Sequence, residues 1–166
     1  MSGFVLTWRE ELHRAGLEVG RLDGRMLRWG ARTWEMRTSG TLTQRHDLVD
    51  AGTGAWAGWF LAAGPLTDNG AMAVGRDVFE WRRPGFWRSR RVLVRAGAEL
   101  VRFQPRARLH EQMTIEVAPE ADALAWLPLI LLAGSWLTLA QNAARAGGHR
   151  GGGGPGLPST SWTGGS

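Results

Sequence analysis

The chain has 166 residues and a formal net charge of +5, which is enough for one domain with a hydrophobic core and short for two. All 20 basic residues are arginines, which excludes chemistry that needs an ε-amine, such as a Schiff base or a phosphate-loop lysine. The chain has no cysteine, which excludes disulfides, thiolate metal sites and cysteine nucleophiles.

The N-terminal segment, Met1-Ser-Gly-Phe-Val-Leu-Thr-Trp-Arg9, lacks a basic region followed by an apolar stretch of signal-peptide length. We therefore expect a cytoplasmic protein. Residues 1–14 are interpreted as a lead-in to the folded domain, which we place at residues 15–145.

Short extended runs separated by turn signals fill residues 15–118. The signals include Asp23-Gly24, Asn69-Gly70 and Ala96-Gly97, and Asp-Gly and Asn-Gly favour the backbone of tight hairpin turns. No helical period is sustained over three turns in this part of the sequence, so the pattern predicts a meander of antiparallel strands.

Apolar and polar residues alternate within several of these runs. In residues 113–117 the apolar side chains occupy one face of a strand, and Thr114 and Glu116 occupy the other. Such strands curl into a barrel or a sandwich to hide their apolar face and their edges. The same alternation gives an apolar face to two earlier runs, through Trp34 with Met36 and through Phe79 with Trp81.

Positive charge is concentrated in one segment. Residues 1–81 carry nine Arg against ten Asp or Glu, whereas residues 82–108 carry nine Arg against the single acid Glu99. Such a field attracts nucleic acid, anionic lipid headgroups or an acidic protein. The alternative is that alternate arginines coat the solvent face of strands, with Arg91 on the same face as Leu93. No nucleic-acid-binding module is recognisable in the sequence, so nucleic acid is not the expected partner.

A charge-free segment, residues 123–144, follows Pro119-Glu-Ala-Asp122. It predicts a helix over about 121–144, because the acids before it and Arg145 after it match the helix dipole. Pro128 falls within the first turn or two, where proline costs least. A helix that is apolar on every side needs apolar surroundings, either a protein core or a bilayer.

The choice between core and bilayer rests on topology. The 22 uncharged residues are long enough to cross hydrocarbon, which needs about 20. Spanning would require export of the tail with Arg145 and Arg150, or export of the whole β domain without a signal peptide, and both oppose the usual charge bias. We expect a barrel of strands to enclose the helix, and a single-pass membrane helix is the alternative.

Residues 146–166 are rich in Gly, Pro, Ser and Thr. Such a composition cannot bury enough apolar surface to offset its ordering entropy. We therefore expect a disordered tail.

Patterns for catalysis or metal binding are weak. His46-Asp47 with Asp50, and His110-Glu111, place imidazole beside carboxylate, but a metal or acid–base site needs further groups in register. Gly52-Thr-Gly-Ala-Trp-Ala-Gly58 has the wrong spacing for a nucleotide loop and is interpreted as a hairpin turn. The sequence predicts no catalytic residue, no metal site and no cofactor.

Three segments together carry a family resemblance: Phe79-Glu-Trp-Arg-Arg-Pro-Gly-Phe-Trp-Arg-Ser-Arg-Arg91, Leu100-Val-Arg-Phe103 and Met113-Thr-Ile-Glu-Val-Ala-Pro119. With the closing apolar helix they resemble the superfamily of tubby C-terminal domains, phospholipid scramblases and LURP-one-related proteins, most of all its small bacterial members. The resemblance implies a mainly β fold, a closed antiparallel barrel usually of twelve strands around a hydrophobic C-terminal helix.

The resemblance also implies a class of function. Members of the superfamily have been linked to phosphoinositide binding and membrane tethering, whereas the acidic run that would bind calcium in a scramblase is absent from this sequence. We expect a non-enzymatic binding or membrane-associated module whose partner is anionic membrane lipid or another protein. A single-pass membrane protein with a cytoplasmic β domain and a small enzyme with an unrecognised site are the alternatives. The sequence does not indicate an oligomeric state. The candidate contacts for lipid or partner are Arg82, Arg83, Arg88, Arg90 and Arg91.

Overall fold

The computed structural model describes residues 2–7, 11–40, 44–63, 69–85, 90–105 and 113–147, with side chains up to residue 144. Within these ranges the chain forms twelve strands, a short 3-10 helix at Pro119–Ala121 and the helix α1, Leu127–Gly147. The strands are β1 (Ser2–Leu6), β2 (Glu11–Arg14), β3 (Leu17–Asp23), β4 (Met26–Trp29), β5 (Arg32–Ser39), β6 (Arg45–Asp50), β7 (Trp56–Ala62), β8 (Gly70–Val74), β9 (Asp77–Arg82), β10 (Arg91–Arg95), β11 (Ala98–Pro105) and β12 (Met113–Val117).

The strands close into one antiparallel barrel. Each pairs with its neighbours in sequence, and β1 pairs with β12 so that Phe4 lies opposite Ile115. Closure leaves no strand edge unpaired. The predicted fold class, a mainly β closed antiparallel barrel with a hydrophobic C-terminal helix, is confirmed.

The first two strands lie within residues 1–14, which the sequence analysis assigned to a lead-in. Ser2–Leu6 and Glu11–Arg14 instead form β1 and β2. The reason is long-range pairing: β1 supplies the hydrogen bonds that β12 needs to close the barrel.

The period of two along each strand separates the core from the wall. Met113, Ile115 and Val117 are at most 2% exposed, whereas the residues between them are half-buried. The predicted inward pairs are also buried, and their exposures are Trp34 1%, Met36 2%, Phe79 2% and Trp81 0%.

The two ends of the barrel differ in their connections. At one end, here called the turn end, four of the five hairpins have two connecting residues, such as Ala96-Gly97 with φ of 49° and 80°. At the other end, here called the loop end, the connections after β1, β5, β7, β9 and β11 have four to eight residues. The loop end therefore presents more chain than the turn end.

Helix α1 begins later than predicted. Its first residue is Leu127 and Pro128 is its second, where proline lacks only an N–H that a helix leaves unpaired. Glu120 lies in the 3-10 helix before it, and Asp122 accepts hydrogen bonds from Ser2 Oγ and Arg14 Nη2. These two acids therefore do not occupy the first turn of α1. The predicted tail from residue 148 onward lies outside the described residues.

The helix runs inside the barrel from the turn end to the loop end. Nearly every residue from Leu127 to Thr138 is buried, on all sides of the helix. A Cβ on Gly20 of β3 would lie 3.0 Å from Leu132 Cδ1, and a Cβ on Gly134 would overlap the Phe103 ring of β11. Strands on different sides of the barrel thus contact one helix. By length and composition alone, the 18 residues from Leu127 to Ala144 could also cross a bilayer, with a mean hydropathy of 1.3.

Replacing Gly134 with Ala tests this enclosure. Alanine normally stabilises a helix interior by about 1 kcal/mol relative to glycine, but here the added methyl meets the Phe103 ring. We expect Gly134→Ala to lower the free energy of unfolding by about 1–3 kcal/mol in urea titrations. Gly3→Ala is the control, because nothing lies within 4 Å of that Cβ. A stabilised Gly134→Ala protein would contradict an enclosed helix.

Candidate functional site

The candidate arginines are grouped at the loop end, where β9 ends at Arg82 and β10 begins at Arg91. Arg83 and Arg90 flank the connection between these strands. Arg88 lies outside the described residues. The four described arginines nevertheless occupy different environments.

Arg82 belongs to the outer wall. Its guanidinium forms an ion pair with Glu80, two residues earlier on the same face of β9. This matches the pattern of the wall as a whole, in which arginine side chains coat the solvent face beside carboxylates. Ion pairs of this kind are formed by Arg14, Arg21, Arg28, Arg32, Arg37, Arg45, Arg82, Arg95 and Arg102.

Arg91 lies in the barrel interior and is 0% exposed. It lies opposite Phe103, which is also fully buried, so both share the inner face. Its Nε donates to Gln141 Oε1 of α1 at 2.9 Å, and its Nη1 donates to the Arg90 carbonyl at 2.9 Å. Trp81 Nε1 donates to the same Gln141 oxygen at 3.3 Å. Arg91 therefore joins the wall to the helix, and a surface role for it does not fit this burial.

Arg83 and Arg90 lie at the rim of the loop end. The backbone N–H of Arg83 donates to Asn69 Oδ1 at 2.8 Å, which ties the β9–β10 connection to the start of β8. Arg83 also has additional partners. Arg90 is half-buried and forms no ion pair with any carboxylate among the described residues. Its charge is thus not neutralised by the described part of the chain.

Arg25 also lies at the loop end, although it was not among the arginines predicted from the sequence. It lies in the β3–β4 turn, is exposed and forms no ion pair within the described ranges. In the strand order this turn lies diametrically opposite the β9–β10 connection. Twelve strands about 4.8 Å apart make a barrel roughly 20 Å across, so Arg25 and Arg90 flank the end rather than share a pocket.

A buried histidine lies near Arg25. His46 is 6% exposed on the inner face of β6, stacked on Phe60 and edge-on to Trp136 of α1. Its Nδ1 is 2.9 Å from Thr38 Oγ1. Burial, and then the nearby Arg25 charge, lower the pKa of His46 below its ordinary value. The imidazole is therefore held neutral in the folded protein at pH 7.

The turn end is closed by aromatic and charged side chains. Trp29, Trp34 and Trp126 lie with ring centroids 6.0–6.5 Å apart, and the Arg32 guanidinium lies 5.0 Å from the Trp34 ring. Arg32 Nη2 also donates to Asp50 at 2.6 Å. That bond, together with the Thr53 backbone N–H, lowers the pKa of Asp50 to about 2. The Trp34 Nε1 has no hydrogen-bond partner among the described residues.

The structure separates the residues of the His46-Asp47 and Asp50 pattern. His46 faces the interior while Asp47 faces outward, since neighbours in a strand point to opposite faces. Asp50 lies at the turn end, where its Oδ1 accepts from the Gly52 and Thr53 N–H groups and shapes the β6–β7 turn. His110-Glu111 lies outside the described residues. The part of the chain that the structure describes contains no group of three potential metal ligands.

A depression of about 450 Å³ lies on the wall at β3 and β4. Arg21 lies directly opposite Arg28 there, and carboxylates compensate both: Arg21 pairs with Glu11 and Glu18, and Arg28 pairs with Asp23. The depression therefore offers no uncompensated charge to a ligand. Its lining is Glu18, Val19, Gly20, Arg21, Arg28 and Gly30.

The burial of Arg91 predicts a structural role. We expect Arg91→Gln to lower the free energy of unfolding by about 2 kcal/mol or more, because it removes a charged hydrogen bond to Gln141 in a buried setting. The neighbouring change Arg90→Gln is the control and should stay within about 0.5 kcal/mol. Urea unfolding measures both. Equal stability of the two variants would contradict the assignment of Arg91 to the interior.

The environment of His46 predicts a pH dependence. The unfolded chain takes up a proton near pH 6.5 and the folded protein at lower pH, so the unfolded state binds more protons in between. The stability from neutral His46 is therefore present above pH 6.5 and decreases as the pH falls through that value. We expect His46→Gln to show a smaller loss of stability between pH 7 and pH 5 in thermal unfolding. Parallel pH curves for parent and variant would contradict this.

No family model matches the chain, and no solved structure matches it either. A barrel fold alone does not assign a function.

Proposed function

We propose that this protein is a non-enzymatic barrel module that binds anionic lipid at the cytoplasmic face of a membrane through its loop end. The observation that carries the proposal is the placement of Arg25 and Arg90 on opposite sides of that end. Neither guanidinium forms an ion pair with a carboxylate among the described residues.

The arginines of the outer wall are neutralised by neighbouring carboxylates. Nine wall arginines lie within 4 Å of a carboxylate, and such pairs produce little field at a distance. The sequence adds Arg88 to the β9–β10 connection. Among the described arginines, Arg25 and Arg90 at the loop end and Arg76 at the turn end form no ion pair, so the loop end has the larger number of uncompensated charges.

The spacing of the cations favours a surface over a single small anion. Arg25 and Arg90 are separated by roughly the barrel width, about 20 Å, which is more than one phosphate group spans. A leaflet of anionic lipid presents charge over such a distance and attracts each nearby arginine by about 1 kcal/mol. A flat anionic membrane therefore fits the end better than a soluble phosphate compound.

Two further points support a peripheral mode of binding. The barrel supplies the apolar surroundings that helix α1 needs, so docking does not require the helix to enter the bilayer. The tubby-like resemblance, taken as a hypothesis, implies membrane tethering for the same architecture. In the alternative, a single-pass protein, helix α1 would leave the barrel and expose its apolar strands, which is energetically costly.

Vesicle binding tests the proposal directly. We expect the protein to cosediment with phosphatidylcholine vesicles that contain phosphatidylserine, and to dissociate as salt is raised. The double variant Arg25→Gln/Arg90→Gln should lose about 2 kcal/mol of binding free energy, roughly thirtyfold in affinity, because two membrane-facing charges are removed.

Arg14→Gln is the control. The Arg14 side chain is 49% exposed and pairs with Asp122 at the turn end of β2, which lies diametrically opposite β8 in the strand order. Arg14 is therefore separated from the docked membrane by more than the screening length of about 8 Å. Equal losses for the control and the double variant, or binding insensitive to salt, would refute the loop end as the lipid-binding surface.

A further inference from the structure

We propose that an apolar stripe on the outer wall enters the headgroup region of the same anionic membrane, so that the barrel docks tilted toward its β7–β9 side. This inference rests on the proposed function and extends it to a second surface. The apolar stripe consists of Trp56, Trp59, Leu61, Ala71 and Val78.

Strands β7 and β8 are adjacent and contain no ionisable residue. Their inward residues, such as Phe60 and Met72, are 1% exposed. The alternate residues therefore form an outer face without charge. Most other parts of the wall carry arginine–carboxylate pairs, so this face differs from its surroundings.

The stripe is exposed at its large side chains. Trp56 is 52% exposed, Leu61 42% and Val78 56%. Across the strands, Trp59 pairs with Ala73 and Ala73 pairs with Val78. Ala71 is half-buried and Ala73 is 4% exposed, so β8 presents little surface of its own between the larger apolar side chains of β7 and β9.

Local irregularity turns Trp56 outward. A shift in the β6–β7 register after Leu48 places Trp56 opposite Val49. The indole Nε1 lies 3.4 Å from Asp47 Oδ1, on the outer face of β6. Tryptophan with an apolar ring and a satisfied polar edge is typical of the membrane–water interface.

At the loop end, the apolar stripe lies next to the arginines of the β9–β10 connection. Leu61 pairs with Ala71, Ala71 pairs with Glu80, and Glu80 binds Arg82 at the loop end of β9. Arg83 and Arg90 follow on the next connection. One tilted plane can therefore contact the apolar stripe and these arginines together.

The size of the stripe argues against a second copy of this chain as its occupant. Three strands about 4.8 Å apart and about 20 Å long cover roughly 300 Å². A stable interface between two proteins buries about 800 Å² on each partner. Insertion into headgroups has no such minimum, because each buried apolar side chain adds to partitioning independently.

The tilt makes the two unpaired cations unequal. The β9–β10 connection with Arg90 lies beside the stripe, whereas the β3–β4 turn with Arg25 lies across the barrel. Docking on the stripe brings Arg90 closer to the lipid than Arg25. Arg90→Gln should therefore weaken vesicle binding more than Arg25→Gln.

The experiment compares a triple variant, Trp56→Ser/Leu61→Ser/Val78→Ser, with Leu17→Ser on vesicles of phosphatidylcholine and phosphatidylserine. Leu17 is 73% exposed but lies on β3, across the barrel from the stripe. We expect the triple variant to bind about tenfold more weakly or worse. Leu17→Ser should bind as the parent does, and circular dichroism should show all variants folded.

The outcomes separate this inference from the proposed function. If the triple variant binds as the parent does while Arg90→Gln weakens binding, the stripe is not a membrane contact and the loop end still is. If the parent protein does not bind the vesicles, both proposals fail. If sedimentation without lipid shows a parent dimer and a monomeric triple variant, the stripe is an interface between copies and the inference is wrong.

Discussion

The barrel and its helix depend on each other for a core. A closed barrel of about eight strands is filled by its own side chains, and wider barrels enclose a cavity. Twelve strands therefore need a filler, and helix α1, apolar on every side, needs an enclosure. Two glycines allow close packing between the helix and the wall, because a side chain on Gly20 would crowd Leu132 and a side chain on Gly134 would overlap the Phe103 ring. Neither half could bury its apolar surface alone.

The helix also gives the barrel two unlike ends. At the turn end, where the chain enters the interior, three tryptophans with Arg32 and Asp50 close the opening. At the loop end the helix meets polar partners, with Gln141 bound to Arg91 and Trp81. Arg25 and Arg90, which form no ion pair among the described residues, lie at this second end. The direction in which helix α1 runs through the barrel therefore decides which end is closed by tryptophans and which end has polar contacts.

Local sequence patterns predicted the parts of the fold that depend on local chemistry. Alternation located strands such as Met113–Val117, and the charge-free segment located the helix, because each pattern reflects burial along one element. Strand β1 was missed since five residues with a glycine carry little signal, and its position depends on pairing with β12.

The candidate site was less predictable. Alternation correctly placed Arg91 on the same face as Leu93, but it cannot tell which face is inward, and pairing with Phe103 and Trp81 decides that. Arg25 lies far in sequence from the arginine-rich segment and joins the loop end only through the order of strands around the barrel. Charge along a chain therefore does not reveal charge at one end of a closed sheet.

Fractionation of cells that express the full chain tests the central claim, an apolar helix that stays within a peripheral barrel. Membranes would be washed with high salt and then with carbonate, without detergent. We expect high salt to release folded, β-rich protein, because the proposed attachment is electrostatic and the helix is enclosed. Retention through both washes would mean that helix α1 crosses the bilayer instead of lying inside the barrel.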